Sequence, residues 1–187
     1  MTKSSDGQSF GPPGEDKDRR VASVVPLPVL HPSDFDAPTG TLRLQRFMAL
    51  MVERQQDAPG ALMIIDLDNQ SLALGQHAGE IDEFLPPLSQ AIRQAVRNDD
   101  WIAHVAGFKF ALLLHGADQA LADGIADRIR ESVADTLFLT ENGIAQLGVA
   151  IGGVAFTPAR SRQGSVFEAA NSNLAEARHS QSGTCIR

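Results

Sequence analysis

The 187-residue sequence has little of what marks several large classes of protein. It contains one cysteine, Cys185, which excludes an intrachain disulfide and a thiolate metal site. No apolar run reaches the ~18 residues that a membrane-spanning helix needs, and the charged N-terminus lacks the apolar core of a signal peptide. Positive charge is also scarce, since the net charge is -7, and this argues against a nucleic-acid-binding protein. We therefore expect a cytoplasmic protein with neither a membrane span nor a nucleic-acid partner.

The first part of the chain differs in composition from the rest. Residues 1–35 are rich in serine, glycine, proline and charged residues, and their one apolar stretch is broken by Pro26, Pro28 and Pro32. This composition predicts a disordered N-terminal tail, because such a stretch cannot bury enough apolar surface to fold. The tail would act as a tether or as a short docking peptide. Residues 36–187 would then form one folded domain.

Hydrophobic periodicity predicts helices alternating with strands across this domain. The expected helices span about 40–57, 79–97, 117–133 and 165–178. In the second of them Pro86 and Pro87 are tolerated only near the first turns, so that helix could start there. The expected strands are 61–68, the hairpin 101–114, one long or two short strands over 143–157, and a last short strand within 180–187. This order predicts an α+β fold, in which helices surround a central, mostly antiparallel, five-stranded sheet.

The hairpin WIAHVAGFKFALLL, residues 101–114, has an unusual tip. Its turn is predicted at Ala106-Gly107, because glycine accepts a positive φ without a Cβ clash. An aromatic residue, Phe108, and a cation, Lys109, follow directly. Neither residue is expected at the tip of a buried hairpin, so the stretch is either a functional site or the remains of one.

Several short stretches, in order along the chain, resemble the motifs of one family. DAPTG at residues 36–40 resembles D-x-L-T-G, MIIDLDN resembles I-D-x-D-x-F, and RNDDWIAHVAGFKF resembles R-x-x-D followed after five residues by G-G-D/E-E-F. GVAIGG and FEAANSNLAEAR resemble the family's later strand and closing helix. Together they make the chain from Asp36 to about Ile186 similar to the GGDEF (diguanylate cyclase) domain. The resemblance implies a nucleotidyl-cyclase-like fold.

The resemblance also implies that the catalytic site has been lost. Members of the family use two metal ions, which need carboxylate ligands from the first strand end and from the third letter of the signature. Here the signature is Ala106, Gly107, Phe108, Lys109 and Phe110, so the third letter has no oxygen and the fourth is a cation. Asp66 would remain as a vestigial ligand. We therefore expect that the chain is not an enzyme, that it does not bind Mg²⁺ and that it requires no cofactor.

The positions that match the family's substrate pocket depart from its pattern too. Ser71 stands where the family has a phosphate-binding Lys, and Leu74 where it has a guanine-reading Asn. A guanine-reading acid would be Asp82 or Glu80, which the spacing leaves open. Near the C-terminus Arg178 matches a phosphate-binding Lys, while Ser182 stands at the next basic position. We therefore expect no synthesis of cyclic di-GMP.

A second family site is kept. Arg97 and Asp100 retain the R-x-x-D of the product-inhibition site, and Arg128 matches a further arginine of that site. An arginine fork suits the O6/N7 edge of guanine, and a carboxylate can accept from its N1–H and N2–H. The resemblance therefore implies cyclic di-GMP as a ligand. Without it, the same residues would be read as a surface ion pair of small energetic value.

Three functions follow from these observations. The first is a catalytically inactive, cyclic di-GMP-sensing regulatory module, whose ligand would bridge two domains in a homodimer or join the domain to a protein partner. The alternative is a nucleotide-independent protein-protein interaction module that uses the former active-site face around Phe108 and Lys109. Residual GTP binding or cyclase activity is the third, and Phe108, Lys109 and Leu74 argue against it. The resemblance suggests a bacterial second-messenger context such as biofilm formation, motility or pili.

Overall fold

The computed structural model describes residues 28–75, 81–140, 143–158 and 163–187. Most of the predicted N-terminal tail lies outside these residues. The part of it that is described contacts the domain: a 3-10 turn spans Pro32–Asp34, and Phe35 forms a bridge with Leu42. Arg46 donates to the carbonyl oxygen of Val29 at 3.3 Å. Residues 28–35 thus contact the domain ahead of the boundary that composition placed at residue 36.

A six-stranded sheet forms the centre of the domain, in the order β1-β3-β4-β2-β7-β8. The three central pairings are antiparallel, whereas β1 and β8 pair in parallel with their neighbours. The strands are β1 (Leu42–Arg43), β2 (Gly60–Leu67), β3 (Trp101–Ala106), β4 (Lys109–His115), β7 (Val149–Phe156) and β8 (Thr184–Ile186). The α+β fold is confirmed, and the strand number is corrected from five to six. The additional strand, β1, has two residues, too few to produce an alternating pattern.

Helices cover both faces of this sheet. They are α1 (Leu44–Asp57), α2 (Asn69–Gly75), α3 (Ile81–Gln94), α4 (Gln119–Ala134) and α5 (Gln163–Ala177). A separate two-stranded hairpin, β5 (Phe138–Thr140) with β6 (Gly143–Ala145), follows α4. The stretch 143–157 is therefore two strands that belong to different sheets. Pro86 and Pro87 lie inside α3, which begins before them at Ile81.

The core has two layers because β2 is buried on both faces. Its residues Met63 and Ile65 belong to the cluster shared with α3 and α4, while Leu62 and Ile64 belong to the cluster shared with α1 and α5. On β7 a Cβ at Gly152 would lie 1.9 Å from the backbone nitrogen of Leu174. Glycine is therefore required there for α5 to approach the sheet so closely.

Candidate functional site

The signature hairpin joins β3 to β4 at one end of the sheet. His104 pairs with Phe110 and Ala106 pairs with Lys109, with an irregularity of register between His104 and Ala106. The two-residue turn is Gly107-Phe108, one position later than the sequence indicated. Gly107 has a φ of +53°, a conformation that favours glycine.

Phe108 faces the core and not the solvent. It is 8% exposed, and its ring centroid lies 6.4 Å from that of Phe84. Phe84 in turn makes an edge-on contact with Phe138 at 6.0 Å. The alternative function placed an interaction face around Phe108 and Lys109, and the Phe108 ring is not available to such a face, because its burial against other rings is favourable. Lys109, the next residue, is half-buried.

Asp66, the candidate metal ligand, is paired with an arginine. Its Oδ2 lies 2.8 Å from Nη2 of Arg178, and its Oδ1 accepts from the backbone N–H of Leu67 at 2.9 Å. Ile65 pairs with Phe110, so Asp66 and Lys109 occupy the next positions along the two antiparallel strands. The carboxylate is thus compensated by a cation of the protein itself, and a second cation occupies the adjoining strand position.

These residues do not fit the two-metal site that the resemblance implies. Phe108 supplies no oxygen, and Arg178 engages Asp66. Asp68 caps the start of α2, where its Oδ1 accepts a hydrogen bond from the backbone N–H of Ser71 at 2.7 Å. Within the described part of the chain, no three Asp, Glu, His or Cys side chains are grouped so that they could hold a metal ion.

A polar cavity of about 380 Å³ lies beside Asp68 and contains residues from the matched substrate pocket. Arg178 and Arg130 are among its lining residues, together with Ser180 and Gln181. Ser71 is buried, and its Oγ accepts from the N–H of Gly148 at 2.7 Å, so it has a structural role. Ser182 contacts its own turn, donating to the carbonyl oxygen of Thr184. The side chains of Leu74, Glu80 and Asp82 lie outside the described residues.

Arg97 and Asp100 enclose a tight turn between α3 and β3. The N–H of Asp100 donates to the carbonyl oxygen of Arg97 at 3.2 Å, which closes the turn. Asp100 is only 1% exposed. Its Oδ2 accepts a hydrogen bond from the N–H of Arg97, and its Oδ1 accepts one from the N–H of His115, each at 3.1 Å. Arg97 is half-buried.

Arg128 lies on the helix that packs beside this turn. The end of α3 leads into β3, and the start of α4 follows β4. Because Trp101 pairs with Leu113, these two helix ends lie at the same end of the sheet. The hydroxyl of Ser132 donates to the carbonyl oxygen of Ala91 at 2.8 Å, which joins the two helices. Arg128 is exposed and lies one helical turn before Ser132 on α4.

Two further arginines near this turn were missed from the sequence. Nη1 of Arg93 donates to the carbonyl oxygen of Asp100 at 3.0 Å; burial lowers the pKa of Arg93, while the nearby Asp100 carboxylate raises it. Nε of Arg54 donates to Nδ1 of His115 at 3.1 Å, and the His115 ring makes an edge-on contact with Trp101 at 4.4 Å. The four-residue spacing of Arg93 and Arg97 was the one sequence signal that could have placed Arg93 near the turn. Nothing in the sequence indicates that Arg54 of α1 contacts His115 of β4.

Comparisons with known proteins agree with the geometry. The family model described as "Diguanylate cyclase, GGDEF domain" matches residues 42–184. An uncharacterized protein of Bacillus subtilis, YhcK, is 32% identical over 139 residues, which cover 69% of this chain and 38% of that protein. The chain thus spans well under half the length of that relative.

Solved structures reproduce the fold. The GGDEF domain of FimX from Pseudomonas aeruginosa matches with a TM-score of 0.73 and 21% identity, over 82% of this chain and 99% of that one. The coiled coil and GGDEF domain of DgcB from Caulobacter crescentus, solved in complex with c-di-GMP, matches with a TM-score of 0.73 and 15% identity, over 83% and 86% of the two chains. No helix in the described ranges is long and apolar enough to cross a membrane.

Proposed function

Because the chain belongs to the GGDEF (diguanylate cyclase) domain family, we propose that it is a non-catalytic member that binds cyclic di-GMP and acts as a regulatory module. The ligand would bind at the R-x-x-D turn that runs from Arg97 to Asp100, together with Arg128 of α4. The compartment that we propose is the cytoplasm of a bacterium, in a pathway such as biofilm formation or motility.

The ion pair between Arg178 and Asp66 is the observation that carries the non-catalytic part of the proposal. A metal ion would have to displace a guanidinium that lies 2.8 Å from the carboxylate. Asp66 is largely buried, where Coulombic interactions are stronger than in water. With Phe108 in the core, the second metal ligand is also lost. Purified protein incubated with GTP and Mg²⁺ should therefore form no cyclic di-GMP, and measurable product would refute this part.

The ligand-binding part rests on two arginines at one edge of the domain. The turn carries Arg97, and Arg128 lies on α4, which the Ser132–Ala91 hydrogen bond joins to α3 just before the turn. Guanidinium groups bind the O6/N7 edge of guanine bidentately, stack on bases and pair with phosphates. Cyclic di-GMP contains both groups, so a site with paired arginines suits it even on a chain of net charge -7.

Calorimetric titration with cyclic di-GMP tests this part directly. We expect a Kd in the micromolar range or tighter, and a loss of at least about 10-fold in Arg97→Ala, because a hydrogen bond to a charged group contributes about 1.5–3 kcal/mol. Arg46→Ala is the matched control, since Arg46 contacts Asp34 and Val29 and should leave the Kd unchanged. No heat in the unaltered protein, with no thermal shift at saturating ligand, would refute receptor function.

The regulatory part concerns assembly. A two-fold symmetric dinucleotide can bridge two arginine sites, so a homodimer or a complex with a protein partner would form on binding. Light scattering with and without cyclic di-GMP measures this, and Arg128→Ala should abolish a ligand-induced increase in mass. Unchanged mass at saturation would mean that binding acts within one domain.

One observation favours the second candidate, a nucleotide-independent interaction module. Leu137, Leu139 and Ile144 are exposed, and Leu139 lies directly opposite Ile144 in the β5–β6 hairpin. This hairpin packs through Phe138 on Phe84, the residue that also contacts Phe108. A partner would thus bind next to the former signature and not at Phe108 itself. Self-association without nucleotide that Leu139→Lys abolishes, with an unchanged melting temperature, would support this candidate.

A further inference from the structure

The Asp100 carboxylate is directed at the backbone of its own domain. Each of its oxygens lies 3.1 Å from a backbone nitrogen, one in the turn and one at the end of β4. The residue is 1% exposed. A bidentate pair with the N1–H and N2–H of guanine needs both carboxylate oxygens at about 2.7–3.2 Å, and a side chain buried to this extent offers no surface for that approach.

A half-buried cation completes this arrangement. Arg93 is half-buried on α3, one helical turn before Arg97, and its Nη1 donates to the carbonyl oxygen of Asp100 at 3.0 Å. The Asp100 carboxylate counters the effect of burial on Arg93, so the two charges compensate each other. The turn is therefore held from two sides, by α3 through Arg93 and by β4 through the N–H of His115.

We propose that Asp100 and Arg93 are positioning residues, which fix the turn that presents Arg97, and that the Asp100 carboxylate does not itself contact the ligand. This inference rests on the proposed function, since it assigns the ligand contacts of that same site to Arg97 and Arg128. Ordering a flexible turn when the ligand binds costs conformational entropy, which weakens binding. A turn that is already fixed avoids most of this cost.

The first test needs no ligand. Amide hydrogen exchange of the Arg97 and His115 N–H groups, measured by NMR, reports directly on the bonds to Asp100. In Asp100→Asn one of these N–H groups faces an amide NH₂ in place of an acceptor, so at least one should exchange about 10-fold faster or more. Asp99→Asn, the exposed neighbour in the same turn, is the matched control and should leave both rates unchanged. Unchanged exchange in Asp100→Asn would overturn the inference.

The second test separates positioning from direct contact. Cyclic di-IMP lacks the exocyclic N2 amine that a contacting carboxylate would bind, so the ratio of its Kd to that of cyclic di-GMP reports that contact. If Asp100 only positions the turn, Asp100→Asn weakens both ligands by the same factor, about 10-fold. A ratio that falls about 10-fold in Asp100→Asn, relative to the unaltered protein, would show direct contact and overturn the inference.

Substitutions at Arg93 provide an independent test. Arg93→Met removes the donor to the turn and should weaken both ligands equally, and Arg93→Lys, which keeps the charge, should recover part of the loss. An unchanged Kd in Arg93→Met would remove Arg93 from the inference. If the unaltered protein binds neither ligand, the proposed function fails, while the exchange measurements still decide whether Asp100 holds the turn.

Discussion

Nη2 of Arg178 lies 2.8 Å from Oδ2 of Asp66. Arg178 directly follows α5, and Asp66 is the last residue but one of β2. The same guanidinium reaches the carbonyl oxygen of Leu67 at 3.4 Å. The arginine side chain therefore compensates the Asp66 carboxylate and ties the chain after α5 to the central strand.

Removal of this arginine should destabilise the domain. Arg178→Gln leaves the largely buried Asp66 carboxylate without its cation, which should lower the free energy of unfolding by about 1–3 kcal/mol. Urea denaturation measures the change. The double variant with Asp66→Asn should recover much of it, because no charge is then left uncompensated. Equal losses in the single and double variants would mean that the pair contributes little.

Phe108 should behave as a core residue. Phe108→Ala removes a ring that packs on Phe84, and we expect a loss of about 3–5 kcal/mol in the free energy of unfolding. The exposed Leu139 is the control, since Leu139→Ala should change stability by about 0.5 kcal/mol or less. Similar effects of the two substitutions would contradict the burial of Phe108.

Reinstating acidic residues in the signature should not restore cyclase activity. In Phe108→Asp with Lys109→Glu, the new Asp would lie in an apolar cluster and Asp66 would still pair with Arg178. We expect no cyclic di-GMP from GTP and Mg²⁺, and a lower melting temperature, because an unpaired charge is costly to bury. Activity in this variant would contradict this prediction, because it would show that the Asp66–Arg178 pair does not prevent metal binding.

Two glycines should respond oppositely to alanine. A Cβ at Gly152 would lie 1.9 Å from the backbone of Leu174, so Gly152→Ala should disrupt the packing of α5 on β7 and cost more than about 3 kcal/mol. At Gly124 of α4 a Cβ meets nothing within 4 Å, so Gly124→Ala should stabilise the protein by about 0.5–1 kcal/mol. Thermal denaturation of both variants tests the pair, and a stabilised Gly152→Ala would contradict the described packing.

Asp123 should make stability depend on pH. Burial raises the pKa of Asp123, and the neighbouring Asp127 raises it further. Because the folded state holds this proton more tightly than the unfolded state, whose pKa is about 3.9, stability falls as pH rises through the interval between the two values. Asp123→Asn should therefore increase the urea midpoint at pH 7, and the gain should fade below about pH 4.

The control for this effect is Glu131→Gln, which removes a negative charge from an exposed position of the same helix. This control measures how much stability is gained merely by making the net charge less negative. If both variants shift the midpoint equally at every pH, the effect comes from net charge and not from the environment of Asp123.

Periodicity and spacing alone determined the class of fold, the approximate helices and the positions of the site motifs. These features are local: apolar residues repeat at the period of a helix or strand, and R-x-x-D or the signature is read within a few residues. Their departures from the family pattern, at Phe108 and Lys109, were visible for the same reason. The strands β1 and β5 were missed, because two or three residues are too few to show a period.

Only the tertiary structure decided what these residues contact. Asp66 and Arg178 are far apart in sequence, and they meet because α5 packs on the sheet through Gly152. Phe108 is buried because α3 brings Phe84 to the turn, and Asp100 bonds to His115 because β3 and β4 pair in one register. Burial and partners depend on long-range packing, which no local pattern encodes. The same residues that marked the site in the sequence therefore acquired their roles only when the chain folded.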